Sequence, residues 1–161
     1  MYPEIEILLN QAEDHLLNTD QIKNFKLNIA SLTHRLETYE VLREREAAIF
    51  QAIADQCLAT YANENPKILE QVLKHWILVL RHCAMAMLLN DPDFLQQRIL
   101  GWLKGLSQTH QTQTIEATLY QSLQTHLKQV LSPQQIALLH PFLEQAQAHL
   151  LDPNALARSE E

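Results

Sequence analysis

Glycine is almost absent from this chain, with two residues among 161. This scarcity argues against β-sandwiches, Rossmann folds and phosphate-binding loops, because all of them need glycine at tight turns or close to phosphates. The helix-forming residues Leu, Gln, Ala and Glu dominate instead. Because the length suits one domain with its own core, the sequence predicts a single all-α domain over residues 1–161.

Basic charge and cysteine are also scarce. The formal net charge of −7 argues against a nucleic-acid partner, because no basic surface can displace counterions from phosphates. Cys57 and Cys83 cannot form a disulfide scaffold, which favours a reducing compartment. The most apolar run, Trp76–Leu89, contains Arg81 and His82 and looks too short and too polar to span a bilayer. We therefore expect a cytoplasmic protein without a membrane span or a signal peptide.

Apolar periodicity and helix-start signals predict about seven helices. Asn18 and Ser132 each have a glutamine three positions later, as in a capping box, and Asp91 precedes a proline in the first helical position. The charged run 40–46 is predicted to be a bend or an exposed stretch, and the polar stretch 107–114 to form a loop. The tail at 152–161 is expected to be flexible. The predicted helices cover about residues 4–17, 18–39, 47–61, 67–89, 91–106, 115–131 and 133–151.

Motifs for catalysis and metal binding are missing. The eight histidines form no HExxH pair, and the two cysteines form no C-x-x-C. His82 adjoins Cys83, but neighbours on a helix point about 100° apart, so this adjacency does not indicate a nucleophile and its base. We therefore predict no enzyme, no catalytic residue and no metal ligand.

The segment of residues 80–106, LRHCAMAMLLNDPDFLQQRILGWLKGL, resembles the phycobiliproteins, and most of all their β-type subunits. There an apolar helix after a Leu-Arg pair is followed by Gly-Asp, then Asp-Asp-Arg, then Gly-Leu-Lys. Gln96 and Gln97 replace the paired aspartates here. The residues that fall into the family frame without a gap are Asp91, Arg98, Leu103 and Lys104.

The N-terminal part resembles the same family. Residues 10–13, NQAE, are similar to its Ser-Gln-Ala-Asp, and residues 35–37, RLE, to its Arg-Leu-Asp. The resemblance implies a globin-like fold in which residues 1–35 form two projecting helices that pair subunits. It further implies that Glu13 meets Arg81 of a partner across the interface, since the family places an acidic residue and an arginine at these positions. A charge pair enclosed in an apolar interface can fix register and partner choice.

The family's means of attaching pigment are altered in this chain. Light-harvesting members attach a linear tetrapyrrole to a cysteine nine residues before that arginine, where this sequence has Val72. His75 occupies the position of an aspartate that neutralises the protonated pigment, and Lys74 retains a basic residue near the propionates. The stretch 66–72 is also shorter than the family's loop. The resemblance thus implies that no bilin is covalently attached.

Two interpretations follow. The first is a phycobiliprotein-like protein of a cyanobacterium or similar phototroph that acts through protein–protein interaction, in phycobilisome assembly, regulation or turnover. Its partner would be a second copy or a related subunit, in the cytoplasm or at the thylakoid surface, and other phycobilisome components could bind as well. The alternative is a non-covalent binder of a bilin, haem or other apolar ligand in a globin-like pocket. The residues predicted to line that pocket are Lys74, His75, Trp76, His82 and Met85.

Overall fold

The computed structural model describes residues 2–103 and 110–151, which form six α-helices and no strand. The all-α prediction is confirmed, and the architecture is consistent with a globin-like fold. Residues 110–114 are helical, so that part of the predicted loop is wrong, while its first three residues and the tail 152–161 lie outside the described residues. The helices are α1 (Pro3–Asp14), α2 (Thr19–Thr60), α3 (Pro66–Leu89), α4 (Pro92–Leu103), α5 (His110–Val130) and α6 (Pro133–Leu150).

Helix α2 continues through the charged run at 40–46, so the run is an exposed stretch and not a bend, and the two helices predicted on either side of it are one. It spans 42 residues. The run contains neither glycine nor proline, and Glu, Arg and Leu all favour helix. Most of its charged side chains face solvent, whereas Leu42 is buried. The charges therefore mark an exposed face of a continuous helix, not its end.

Three predicted helix starts are confirmed. The side chain of Asn18 accepts a hydrogen bond from the backbone N–H of Gln21, whose side chain accepts from the N–H of Asn18, both at 2.9 Å. Ser132 and Gln135 exchange the same pair of bonds at 3.2 and 3.0 Å. The Asp91 carboxylate accepts the backbone N–H three residues further on, at 3.0 Å. Each cap satisfies N–H groups that have no partner within their own helix.

Helix α3 lies at the centre of the bundle, in contact with α2, α4, α5 and α6. It has 24 residues, and an 18-residue stretch of it has a mean hydropathy of 1.4, so by length and composition the whole helix could cross a membrane although the run Trp76–Leu89 alone is shorter. Its packing explains its apolar character better, because its buried side chains fill the core. These are Leu69, Val72, Trp76, Val79, Leu80, Cys83, Ala84, Ala86 and Met87.

Helix α1 and the first half of α2 form an N-terminal hairpin that contributes no fully buried side chain to the core cluster, which begins at Leu42. Near the turn, the Gln21 side-chain amide donates to the Gln11 side-chain oxygen at 2.7 Å. At the other end, Tyr2 and Arg35 both reach the last turn of α3. Two helices joined by these contacts run antiparallel.

The base of the hairpin is tied to carbonyl groups that end helix α3. The Tyr2 hydroxyl donates to the carbonyl oxygen of Leu88 at 2.6 Å, and Nη1 of Arg35 donates to that of Met87 at 2.7 Å. The last carbonyls of a helix lack their usual partners inside it, and these side chains donate to two of them; the Met87 carbonyl oxygen also accepts the backbone N–H of Asn90 at 3.1 Å. Asn90 ends the helix in the left-handed conformation, with φ 50°.

We expect Arg35→Met to lower the free energy of unfolding by about 1–3 kcal/mol, because the Met87 carbonyl loses a charged donor. Urea denaturation followed by circular dichroism measures the change. Arg45→Met, at an exposed position of the same helix, is the matched control and should change stability little. Equal losses in the two variants would contradict a specific role for Arg35.

Candidate interaction site

An open groove with a volume of about 600 Å³ lies between helices α2, α3 and α4. Its floor is apolar, with Leu42, Leu80, Ala84, Met85 and Phe94. Its rim is polar and mostly basic, with Tyr39, Arg43, Glu46, Arg81, His82 and Arg98. We call it the arginine groove after Arg43, Arg81 and Arg98. An apolar floor with charged groups above it suits an occupant that is both apolar and acidic.

Within the arginine groove, Arg81 is held by Glu46. Its Nε lies 3.0 and 3.1 Å from the two carboxylate oxygens, and its Nη2 donates to one of them as well. These hydrogen bonds raise the pKa of Arg81, which keeps the guanidinium protonated. The Arg81 side chain is still 58% exposed, so the pair is open to solvent and contributes little stability.

Glu13, the other predicted interface residue, lies exposed on α1. Within one chain, the described ion pairs do not join it to Arg81, whose carboxylate partner is Glu46. A contact between Glu13 and Arg81 therefore requires two subunits.

The five residues predicted to line a ligand pocket do not surround one cavity. His82 and Met85 line the arginine groove. Trp76 is 1% exposed and packs in the core, with its ring centroid 5.4 Å from that of Tyr120. Nine residues at about 100° each place Met85 on the side of α3 opposite Trp76. Trp76 and Met85 therefore cannot line the same pocket.

The other two predicted pocket residues lie at the margin of α3. Lys74 is exposed and pairs with Glu70 at 2.6 Å, one turn earlier on the same helix. His75 is half-buried, and desolvation lowers its pKa, so the ring is neutral near pH 7. Val72, at the family's anchor position, is buried in the core cluster with 1% exposure.

Neither cysteine is placed for reactivity. Cys83 is fully buried, its thiol donates to the carbonyl oxygen of Phe142 at 3.5 Å, and burial raises its pKa. Burial also raises the pKa of the Cys57 thiol. Because the thiolate is the reactive form, both behave as core residues. Within residues 2–103 and 110–151, no three His, Cys, Asp or Glu side chains are grouped to hold a metal ion.

An exposed apolar stripe runs along the first half of α2. Ile22, Ile29, Leu32 and Leu36 are between 37% and 47% exposed, and we call them the apolar seam. Together with half-buried Phe25 they follow alternating steps of three and four residues, the spacing of a coiled-coil face. Such a face normally packs against another helix, yet here it faces solvent.

Sequence reasoning missed the arginine groove. The apolar spacing of the seam continues through Tyr39, Arg43 and Glu46, which was a signal that these residues share its face. Arg98 comes from α4, and only the tertiary structure brings it to the same groove.

The described features define an all-α bundle with an N-terminal hairpin whose apolar seam is uncovered and leads into a basic groove. A model of the phycobilisome protein family matches residues 7–150. The chain belongs to this family, which confirms the resemblance seen in the sequence at the level of the family. Comparison with curated proteins gives no match.

Proposed function

We propose that this chain binds another protein subunit through its N-terminal hairpin and arginine groove, as a β-type phycobilisome family member without a covalently attached bilin. The apolar seam carries this proposal, because a row of exposed apolar side chains on a projecting hairpin favours association. The role would be assembly, regulation or turnover of the phycobilisome, in the cytoplasm or at the thylakoid surface. Catalysis is not part of it.

Arg81 is suited to a contact between subunits. Glu46 uses its Nε and Nη2, which leaves Nη1 for a second carboxylate. Glu13 of a partner would supply that carboxylate. Enclosed by the apolar seam, the pair would set the register of the two subunits more than it would add affinity.

The absence of a covalent pigment is supported by Val72, which has no thiol and lies in the core. Non-covalent binding of a tetrapyrrole remains the alternative, and His82 and Met85 favour it because they line the arginine groove. A visible absorption band that co-purifies with the chain and is lost in Met85→Glu would support the alternative. A colourless protein would count against it.

For the interaction, we expect Glu13→Arg and Arg81→Glu each to weaken subunit association about tenfold, and the double variant to restore part of it. Analytical ultracentrifugation measures the effect, first on the purified chain and then on its mixture with purified phycobilisome subunits. Asp55→Arg, exposed near the far end of α2, makes the same charge change as Glu13→Arg and is the control. A complex that is unaffected by both charge reversals would refute the assigned contact.

A further inference from the structure

The arginine groove holds a large share of the positive charge of an acidic chain. Three of the six arginines line it, while the chain has a formal net charge of −7. Glu46 is the one acidic group among the described residues that line the groove. With His82 counted as neutral, the lining therefore has a surplus of two positive charges. A dianion matches a surplus of this size.

Two of the three guanidinium groups are not used within the described chain. Arg43 on α2 and Arg98 on α4 take part in none of the ion pairs among the described residues. The guanidinium carbon of Arg98 lies over the ring of Phe94, 5.3 Å from its centroid. A cation–π contact holds the group through its charge and leaves its N–H donors available for a ligand.

The groove combines these donors with an apolar floor. Leu42 and Leu80 are buried beneath it, and half-buried Met85 and Phe94 complete it. A guanidinium group pairs with phosphate or carboxylate oxygens through two parallel hydrogen bonds. The volume of about 600 Å³ lies within the range of small-molecule sites, which is roughly 300–1,000 Å³. The lining thus fits a ligand that has an apolar body and a charged head.

We propose that the arginine groove binds a small organic dianion, a phosphate ester with an apolar body, whose phosphate is held by Arg43 and Arg98. The body of the ester lies on the apolar floor. This inference goes beyond the proposed function, because it requires no partner subunit. The two share Arg81, so a bound ester competes with a subunit that contacts the same groove.

Three probes with the same ten-carbon body test the charge of the ligand: decyl phosphate, decanoate and decanol. Displacement of the fluorescent anion 8-anilino-1-naphthalenesulfonate from the purified chain at pH 8 measures their affinities. We expect decyl phosphate to bind about tenfold more tightly than decanol, with decanoate between them, and the difference to shrink as salt is raised. Equal affinities for decyl phosphate and decanoate would overturn the preference for a dianion.

Two variants test the position of the site. We expect Arg43→Met and Arg98→Met each to weaken the binding of decyl phosphate about five- to tenfold and to change that of decanol little, because each removes a charged donor but keeps apolar contact area. Arg45→Met, at an exposed position of α2 outside the groove, is the matched control. Unchanged affinity for decyl phosphate in both groove variants would overturn the site.

The apolar seam is also exposed and can adsorb apolar probes. Leu32→Gln removes one of its apolar side chains and should leave the preference for decyl phosphate over decanol unchanged. If Leu32→Gln abolished this preference and Arg98→Met kept it, the phosphate ester would bind at the seam, and the proposed site would be wrong.

The outcomes separate this inference from the proposed function. A chain that binds decyl phosphate as expected but associates with no subunit would support this inference and refute the proposed function. A chain that associates with subunits but binds decyl phosphate no better than decanol would do the reverse. Where the chain does both, saturating decyl phosphate should weaken the association. An association that it leaves unchanged would overturn the competition for Arg81.

Discussion

Replacement of Trp76 by alanine is expected to lower the free energy of unfolding by about 3–5 kcal/mol, a large part of the stability of a small domain. The side chain is 1% exposed, and its ring packs against Tyr120, so its removal leaves a cavity between α3 and α5. Urea denaturation followed by circular dichroism measures the loss. Trp76→Phe keeps an aromatic ring in the same place and should cost less.

The control for this prediction is Leu78→Ala, two residues away on the same helix. Leu78 is 40% exposed on the outward face of α3, so its truncation should cost less than about 1 kcal/mol. If Trp76→Ala were as stable as wild type, the indole would not be a core residue. Trp76 would then be better described as part of the wall of a ligand pocket, which is the alternative interpretation of the sequence.

Local signals predicted the helix starts well. A cap at Asn18, Asp91 or Ser132 depends on residues within three positions of it, so the sequence contains all the information needed. The continuity of α2 was missed for a different reason. A run of charged residues indicates that its side chains face solvent. The end of a helix is indicated by residues such as glycine or proline, and this run has neither.

The candidate site was harder to predict because its contacts are not local. Arg81 was selected from a resemblance, but its partner Glu46 lies 35 positions away on another helix. The five predicted pocket residues share one stretch of α3, and a helix distributes such a stretch around its whole circumference. Periodicity did mark the apolar seam. Whether such a face is core or surface depends on what packs against it, which a single sequence does not specify.

A second large effect is expected from the buried carboxyl group of Glu116 on α5. The side chain is 5% exposed, and its Oε2 has no hydrogen-bond partner among the described residues. Desolvation raises its pKa from 4.5 to about 7. The folded chain therefore retains a proton that the unfolded chain releases between these two pH values.

The sign of the pH dependence follows from this retained proton. Below about pH 4.5 the group is protonated in both states and costs no stability, while above about pH 7 folding must bury a charge. We expect Glu116 to lower the free energy of unfolding by up to about 3 kcal/mol as the pH rises through this range. Glu116→Gln should abolish this dependence and be more stable than wild type at pH 8, but about equal to it at pH 4.5.

Urea denaturation of both proteins from pH 4.5 to 8 measures the difference, with Glu40→Gln as the control at an exposed position of α2. The control should keep the wild-type pH profile, since an exposed carboxylate remains solvated in both states. Parallel profiles for wild type and Glu116→Gln would contradict a raised pKa of this carboxyl in the folded chain. An unfolding free energy of Glu116→Gln that no longer falls between pH 5 and 7 would identify this carboxyl as the group responsible.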